Sequence, residues 1–179
     1  MKCSDCVHAS SLKYAGGVGE ELEPHWLDGD ERESWYALAL LLNQLPAALD
    51  ARMQRDAGIS QFDYMALSAL SMAPGQTMRM SLLAEYAGAS LSRLSNVISK
   101  LEKRGWVRRS ADPGNGRTTL ATLTEEGFAQ VKQAAPGHVA EVRRLVIDPL
   151  TKAQQRQLAV IAVRMLRAID PSGPLSAGR

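Results

Sequence analysis

Residues 90–127 read SLSRLSNVISKLEKRGWVRRSADPGNGRTTLATLTEEG. The first part has apolar residues at spacings of three and four, which predict an amphipathic helix capped by Ser90 and extending to Arg104. Beyond Gly105, two runs rich in strand formers, 106–110 and 118–123, flank the sequence Gly-Asn-Gly at 114–116. Asn-Gly is the favoured pair for a tight hairpin turn because both central positions need positive φ. The stretch therefore predicts a helix followed by a β-hairpin that turns at Asn-Gly.

Helical periodicity also occurs on both sides of this stretch. A serine and an aspartate three residues apart cap one upstream helix at Ser60, and a threonine-glutamine capping box begins the last helix at Thr151. The predicted helices cover residues 34–56, 60–72, 81–87, 90–104, 124–150 and 151–169. The order short helix, turn, helix, strand, turn, strand is that of a winged helix-turn-helix. The predicted fold class is mainly α with a small β-hairpin wing.

Length and composition are those of a globular protein. The chain has 179 residues, 45% apolar and 22% charged, which suits one well-buried domain with an added helical layer. The longest apolar run, residues 35–42, is far shorter than the roughly 20 residues that a bilayer span needs. The N-terminus has no apolar signal core, and Cys3 and Cys6 lie in one tail, where they cannot form a disulfide framework. These features predict a cytoplasmic protein.

The charge is unevenly spread. Residues 1–78 carry 5 basic and 11 acidic side chains (net −6), residues 79–117 carry 8 and 3 (net +5), and residues 118–179 carry 8 and 5 (net +3). The basic excess coincides with the predicted helix-turn-helix and hairpin, where a polyanion would bind.

The helix that begins after Ser90 has a composition suited to a DNA major groove. Its apolar positions Leu91, Leu94, Ile98 and Leu101 are expected to face inward. Small hydroxyls permit close approach, while arginine can pair with guanine, asparagine with adenine, and lysines with phosphate. An ordinary solvated face would mix Glu with Lys, whereas Glu102 is the single acid between Ser90 and Arg104. The outward residues predicted to contact DNA are Ser92, Arg93, Ser95, Asn96, Ser99, Lys100 and Lys103.

The run from Leu101 to Val107, followed by Arg109, Asp112-Pro113, Arg117 and the sequence LTEEG at 123–127, resembles the MarR family of bacterial regulators. The resemblance extends over about residues 35–169. It implies a homodimer whose terminal helices intertwine and a wing whose Arg117 reaches toward the minor groove. Family wings usually read Asp-Pro-x-Asp-Arg-Arg, whereas two of these charged positions are here Asn115 and Gly116. The resemblance therefore implies a wing with less charge than usual.

Members of this family often bind small phenolic or amphipathic ligands. The resemblance thus implies a small aromatic ligand and an effector pocket, for which the candidate residues are Trp35, Tyr64 and Trp106. Core packing would explain these aromatic residues equally well.

The apolar stripes of the first helix and the last two helices exceed what a head of about 70 residues could cover, so an obligate homodimer is expected. The predicted organisation is an N-terminal tail over 1–30, a helical dimerisation region over 31–57 and 124–170, a winged helix-turn-helix domain over 58–123, and a C-terminal tail over 171–179.

The leading hypothesis is a sequence-specific transcription regulator, a repressor or an activator with the repressor favoured. It would bind a near-palindromic operator as a homodimer and be released by a small-molecule signal. The alternative is a winged-helix protein-interaction module with weak or no DNA binding. Cys3 and Cys6 with His8 lack the four ligands of a zinc site, and no motif for a catalytic site, a cofactor or a nucleotide is recognised. The chain is therefore not expected to be an enzyme.

Overall fold

A computed structural model describes residues 24–171. The tails beyond these limits, including Cys3 and Cys6, lie outside the described residues. Contacts divide the chain into two units, one ending at Ala37 and one beginning at Leu38. The elements are α1 (Gly29–Ala57), α2 (Gln61–Met72), β1 (Thr77–Arg79), α3 (Met80–Tyr86), α4 (Leu91–Lys103), β2 (Val107–Asp112), β3 (Asn115–Leu123), α5 (Glu125–Val142) and α6 (Lys152–Ile169).

In the first unit, α1 begins five residues earlier than the predicted Ser34. The amide of Asp28 donates to Glu31 Oε2, and the amide of Glu31 donates to Asp28 Oδ1, each over 2.9 Å. This reciprocal pair satisfies two amides that would otherwise lack partners at the helix start. Apolar spacing predicts a later start because the first turn of the helix lacks apolar residues at the helical period.

In the second unit, the core lies between α2, α3, α4 and the sheet. Its largest fully buried apolar side chains are Met53, Ile59, Leu67, Leu70, Leu83, Leu94, Ile98, Leu101 and Val107. Three of the four predicted inward positions of α4 belong to this set. The prediction for Leu91 is wrong, because its side chain is 54% exposed. Leu91 lies in the first turn of α4, beyond the reach of the core.

The sheet has three antiparallel strands in the order β1-β3-β2. The hairpin of β2 and β3 was predicted, whereas β1 was not. Thr77 pairs with Thr122 and Arg79 with Leu120, and the hydroxyls of Thr77 and Thr122 are 2.9 Å apart. A three-residue strand is too short for its alternation to be recognised in a sequence. The predicted class, mainly α with a small β wing, is confirmed.

The predicted hairpin turn at Asn-Gly is wrong. The strands are connected through Pro113 and Gly114, and β3 already begins at Asn115. Asp112 Oδ1 accepts from the amide of Gly114 over 2.9 Å, while the fixed φ of proline suits an ordinary turn. Neither Asn115 nor Gly116 has positive φ, so the primed turn expected from Asn-Gly does not form.

The wing is irregular near this turn. Ala111 pairs with Thr119, but the next residue, Asp112, pairs with Asn115, so the register shifts between these two positions. Residues 116–118 fall between the two pairings. Such a bulge redirects side chains relative to a regular strand, and Arg117 lies within it.

The start of α5 is fixed to the base of the wing. Thr124 caps the helix by accepting from the amide of Gly127 over 3.0 Å, and its hydroxyl donates to the carbonyl of Gly105 over 2.7 Å. A Cβ at Gly127 would overlap the carbonyl oxygen of Trp106, so glycine is required by the close approach. The predicted helix start at Thr124 is confirmed.

Beyond this start, α5 continues through Pro136 to Val142, a π-helical turn covers Arg143–Ile147, and α6 follows its Thr151 cap. None of the described helices is both long enough and apolar enough to cross a membrane.

Candidate nucleic-acid interface

The outer face of α4 is polar, open and almost free of acid. Ser92, Asn96 and Lys103 are exposed, whereas Ser95 and Ser99 are half-buried. The hydroxyl of Ser90 accepts from the amide of Arg93 over 3.2 Å and caps the helix. The exposed side chains of this face are short or polar, and its contact with a DNA groove stays a prediction.

Arg93 lies at the edge of this face that borders α2. Its guanidinium carbon is 4.5 Å from the centre of the Phe62 ring, a cation–π arrangement. The side chain is exposed, so the stacked guanidinium keeps hydrogen-bond donors that can reach solvent or a ligand. Phe62 thus restricts where Arg93 presents its donors.

Lys100 lies on the same edge but is bound to the protein. Its Nζ donates to Asp63 Oδ2 over 2.6 Å, and the Asp63 side chain is only 2% exposed. Asp63 also accepts from the amide of Ser60 over 3.1 Å in the cap of α2. Lys100 therefore neutralises a buried carboxylate and connects α4 to α2, a role that its sequence position does not indicate.

The single acid of α4, Glu102, is neutralised by the wing. Arg109 Nη2 lies 2.6 Å from Glu102 Oε2, and the amide of Arg109 donates to Glu102 Oε1 over 3.1 Å. The side-chain hydrogen bond from Arg109, supported by the backbone hydrogen bond, lowers the pKa of the Glu102 carboxyl. The ion pair removes uncompensated negative charge from α4 and attaches β2 to it.

Arg117 lies beside α4 in a groove between the helix and the wing. The groove has a volume of about 380 Å³ and brings Arg117 together with Ser95, Leu91 and Arg109. Its other lining residues are Met80, Ser81, Thr118 and Thr119. Of the predicted contact residues, Ser95 and Arg117 thus line the same groove.

Two further exposed cations, Arg104 and Arg108, are not among the predicted contact residues. Arg108 follows the buried Val107 on β2 and points away from the core; the alternation of the strand could have indicated it. The guanidinium carbon of Arg104 is 4.9 Å from the centre of the Trp106 ring. Both extend the basic surface around the end of α4 and the wing.

The three candidate effector residues have different environments. Trp35, in the first unit, is 58% exposed. Tyr64 is buried, with its ring centre 4.6 Å from that of His138, and burial raises the pKa of its hydroxyl. Trp106 is half-buried next to Arg104. The contacts of Tyr64 suit core packing, and an effector pocket at these residues stays a prediction. Within residues 24–171, no group of three or more acidic, histidine or cysteine side chains could hold a metal ion.

Comparison with known proteins identifies this arrangement. A family model described as MarR family matches residues 57–118. The crystal structure of a MarR family transcriptional regulator from Streptomyces coelicolor, in complex with DNA, is 39% identical with a TM-score of 0.80, and the match covers 86% of this chain and 97% of that one.

Curated relatives agree with this likeness. The transcriptional repressor MprA of Escherichia coli is 26% identical over 119 residues, which are 66% of this chain and 67% of MprA. The uncharacterized HTH-type transcriptional regulator YdcH of Bacillus subtilis is 33% identical over 76 residues, which are 42% of this chain and 52% of YdcH. The match thus spans about half the length of YdcH. The helix-turn-helix, the wing and the likeness over nearly the whole Streptomyces protein together show that this chain belongs to the MarR family of DNA-binding transcription regulators.

Proposed function

We propose that the protein is a homodimeric, sequence-specific regulator that places α4 in the major groove of a near-palindromic operator. The observation that carries this proposal is the outer face of α4, where hydroxyls, an amide and cations occur without an uncompensated acid, because Arg109 neutralises Glu102. The DNA complex of the Streptomyces relative supports the proposal.

The side chains of this face would contact different parts of the DNA according to their chemistry. Arg93 and Asn96 lie in the first two turns and would contact bases, while Ser92, Ser95 and Ser99 allow the backbone to approach. Lys103 and Lys100 would contact phosphates, although Lys100 must share its ammonium with Asp63. Arg117 of the wing would enter the minor groove.

Unpartnered apolar side chains support the dimer. In α6 no side chain is buried, and Val160, Ile161 and Ile169 are 62%, 54% and 81% exposed. In α1, Leu41 and Leu42 are 48% and 60% exposed. Such surface is unusual on a monomer and is typical of an interface that a second subunit covers.

The regulator would act as a repressor that a small aromatic ligand releases. The name of MprA, a transcriptional repressor, supports the sign of regulation. A ligand is favoured over cysteine oxidation because Cys3 and Cys6 flank Asp5, with only Lys2 close in sequence, and acidic surroundings disfavour a reactive thiolate.

Selection from a random DNA pool with the full-length protein tests DNA recognition. We expect enrichment of an inverted repeat, and binding to it that weakens steeply between about 50 and 200 mM salt. Arg117→Ala should reduce affinity for selected and scrambled DNA alike and lower the salt slope by about one unit, since one phosphate-neutralising charge is lost. Arg156→Ala on α6 removes the same charge far from α4 in the sequence and should change neither quantity.

The opposite result would be equally clear. If no sequence is enriched and binding barely depends on salt, the winged-helix protein-interaction module is the correct interpretation. If Arg117→Ala and Arg156→Ala behave alike, the wing does not contact DNA.

A further inference from the structure

Leu91 is an apolar exception on the polar outer face of α4. All of α4 lies within the described residues, and among its large apolar side chains only that of Leu91 is exposed. The turn that carries it is fixed by the Ser90 cap, and the amide of Leu94 donates to the carbonyl of Ser90 over 3.0 Å. Leu91 thus has a defined position on a regular helix without belonging to the buried core.

The surroundings of Leu91 are polar and cationic. It lines the groove between α4 and the wing together with Ser95, which follows one turn along the helix, and with Arg109 and Arg117 of the wing. Two threonines of β3 line the same groove. The core of a protein–protein interface is depleted of charged residues. An apolar side chain beside two arginines therefore favours an anionic partner that carries an apolar group.

Double-stranded DNA supplies such a group in the major groove. The base edges there present hydrogen-bond donors and acceptors and, on thymine alone, an apolar C5-methyl group. A leucine side chain can neither donate nor accept a hydrogen bond, so the methyl group is the base feature that it can recognise. Position also fits, because the N-terminal residues of a recognition helix are those that contact base edges.

We propose that Leu91 contacts the C5-methyl group of one thymine in each half-site and is a specificity-determining residue of the regulator. This inference rests on the proposed function, in which α4 enters the major groove. It adds an apolar contact to the hydrogen bonds of Arg93 and Asn96, and it requires a T·A pair at one fixed position of each half-site.

Replacement of thymine by uracil tests the contact, because it removes the methyl group and leaves the hydrogen-bonding edge unchanged. The full-length protein is titrated at one salt concentration with the selected inverted repeat, in which one symmetry-related pair of thymines at a time is replaced. At one pair of positions, uracil should weaken binding about fourfold per half-site, as expected for the loss of one buried methyl group. At thymines that Leu91 does not contact, uracil should have no such effect.

Variants of Leu91 assign the effect to this side chain. Leu91→Ala should bind the thymine operator more weakly and lose the penalty for uracil at that position, whereas Leu91→Met keeps an apolar side chain of similar size and should retain the penalty. Leu82→Ala is the matched control, since Leu82 on α3 is similarly exposed, by 45%, and lies outside this groove. It should leave both the affinity and the penalty unchanged.

The outcomes separate this inference from the function on which it rests. If an inverted repeat is selected but uracil is tolerated at every thymine, or if Leu91→Ala retains the full penalty, Leu91 does not read a methyl group and the proposed function stands. If no sequence is selected at all, the proposed function and this inference are both wrong.

Discussion

Lys100 occupies an exposed position of α4, yet its ammonium group forms an ion pair with a buried carboxylate. The ammonium of this residue is bound to Asp63, which the fold buries and also uses to cap α2. From sequence, a lysine on the polar side of a helix indicates a phosphate contact. The partner that changes this interpretation is 37 residues away in the chain.

Lys100→Ala should lower the free energy of unfolding by about 1 to 3 kcal/mol, because the buried Asp63 carboxylate would lose its charged partner. Lys103 lies exposed in the last turn of the same helix. Lys103→Ala should therefore change the free energy of unfolding by less than about 0.5 kcal/mol. Urea unfolding of both variants measures the difference. Equal midpoints would mean that water or Ser60 satisfies Asp63 without the lysine.

His138 makes the stability of the fold depend on pH. Burial lowers the pKa of its imidazole below the ordinary value of 6.5, and within the described residues its Nδ1 is buried without a hydrogen-bond partner. As pH falls below about 6.5, the unfolded chain takes up the proton before the folded chain does, so stability decreases. Above that pH both states are neutral at this residue and its contribution is constant.

We therefore expect the melting temperature to fall between about pH 7 and pH 5.5, and His138→Gln to reduce this dependence. The carboxylates with lowered pKa, such as Glu102, lose their contribution only at more acidic pH. An unchanged pH profile in His138→Gln, measured by circular dichroism, would assign the effect to another group.

At the scale of the elements, the joint between the wing and α5 depends on backbone contact. The amide of Thr124 donates to the carbonyl of Trp106 over 3.0 Å, and Gly127 lies against the same carbonyl. The wing is thereby attached to α5 at its base and to α4 through the Arg109–Glu102 pair. These two attachments fix the angle at which the wing leaves the domain.

Gly127→Ala should destabilise the protein by about 1 to 3 kcal/mol, since the added methyl would overlap the Trp106 carbonyl and lie 2.8 Å from Leu123 Cδ1. Gly116→Ala is the matched control, because a Cβ there meets nothing within 4 Å and the backbone has ordinary φ. The melting temperatures of the two variants, measured by thermal unfolding, test this expectation. Equal stability would show that α5 can shift without cost.

At the scale of the molecule, α6 adds little to the core of a single chain, because none of its side chains is fully buried. Truncation after Leu150 should then be harmless to a monomer. In a dimer held together by α6, the same truncation removes the interface and should leave the protein insoluble or unfolded.

Sedimentation of the full chain should accordingly show twice the mass of one chain at about micromolar concentration. A folded monomer at that concentration, or a truncated protein that stays soluble and folded, would contradict the dimer. Ile161→Glu in α6 offers a milder test, since a charge in an apolar interface should shift the equilibrium toward monomers.

The sequence by itself determined the features that depend on neighbours within one or two turns. Caps at Ser60, Ser90, Thr124 and Thr151, the inward positions of α4 after its first turn, and the presence of a hairpin could all be predicted. Capping and amphipathic periodicity act between residues three or four positions apart. The polar face of α4 could be recognised because the same helical periodicity separates outward from inward positions.

Only the tertiary structure decided which charges are available, because their partners lie far away in the sequence. The Thr77–Thr122 contact joins residues 45 apart, and the Lys100–Asp63 and Arg79–Asp112 pairs join separate elements. Packing brings such groups together at no fixed sequence spacing, and the energy of a buried or competing charge depends on that environment. No local pattern could have indicated these pairs.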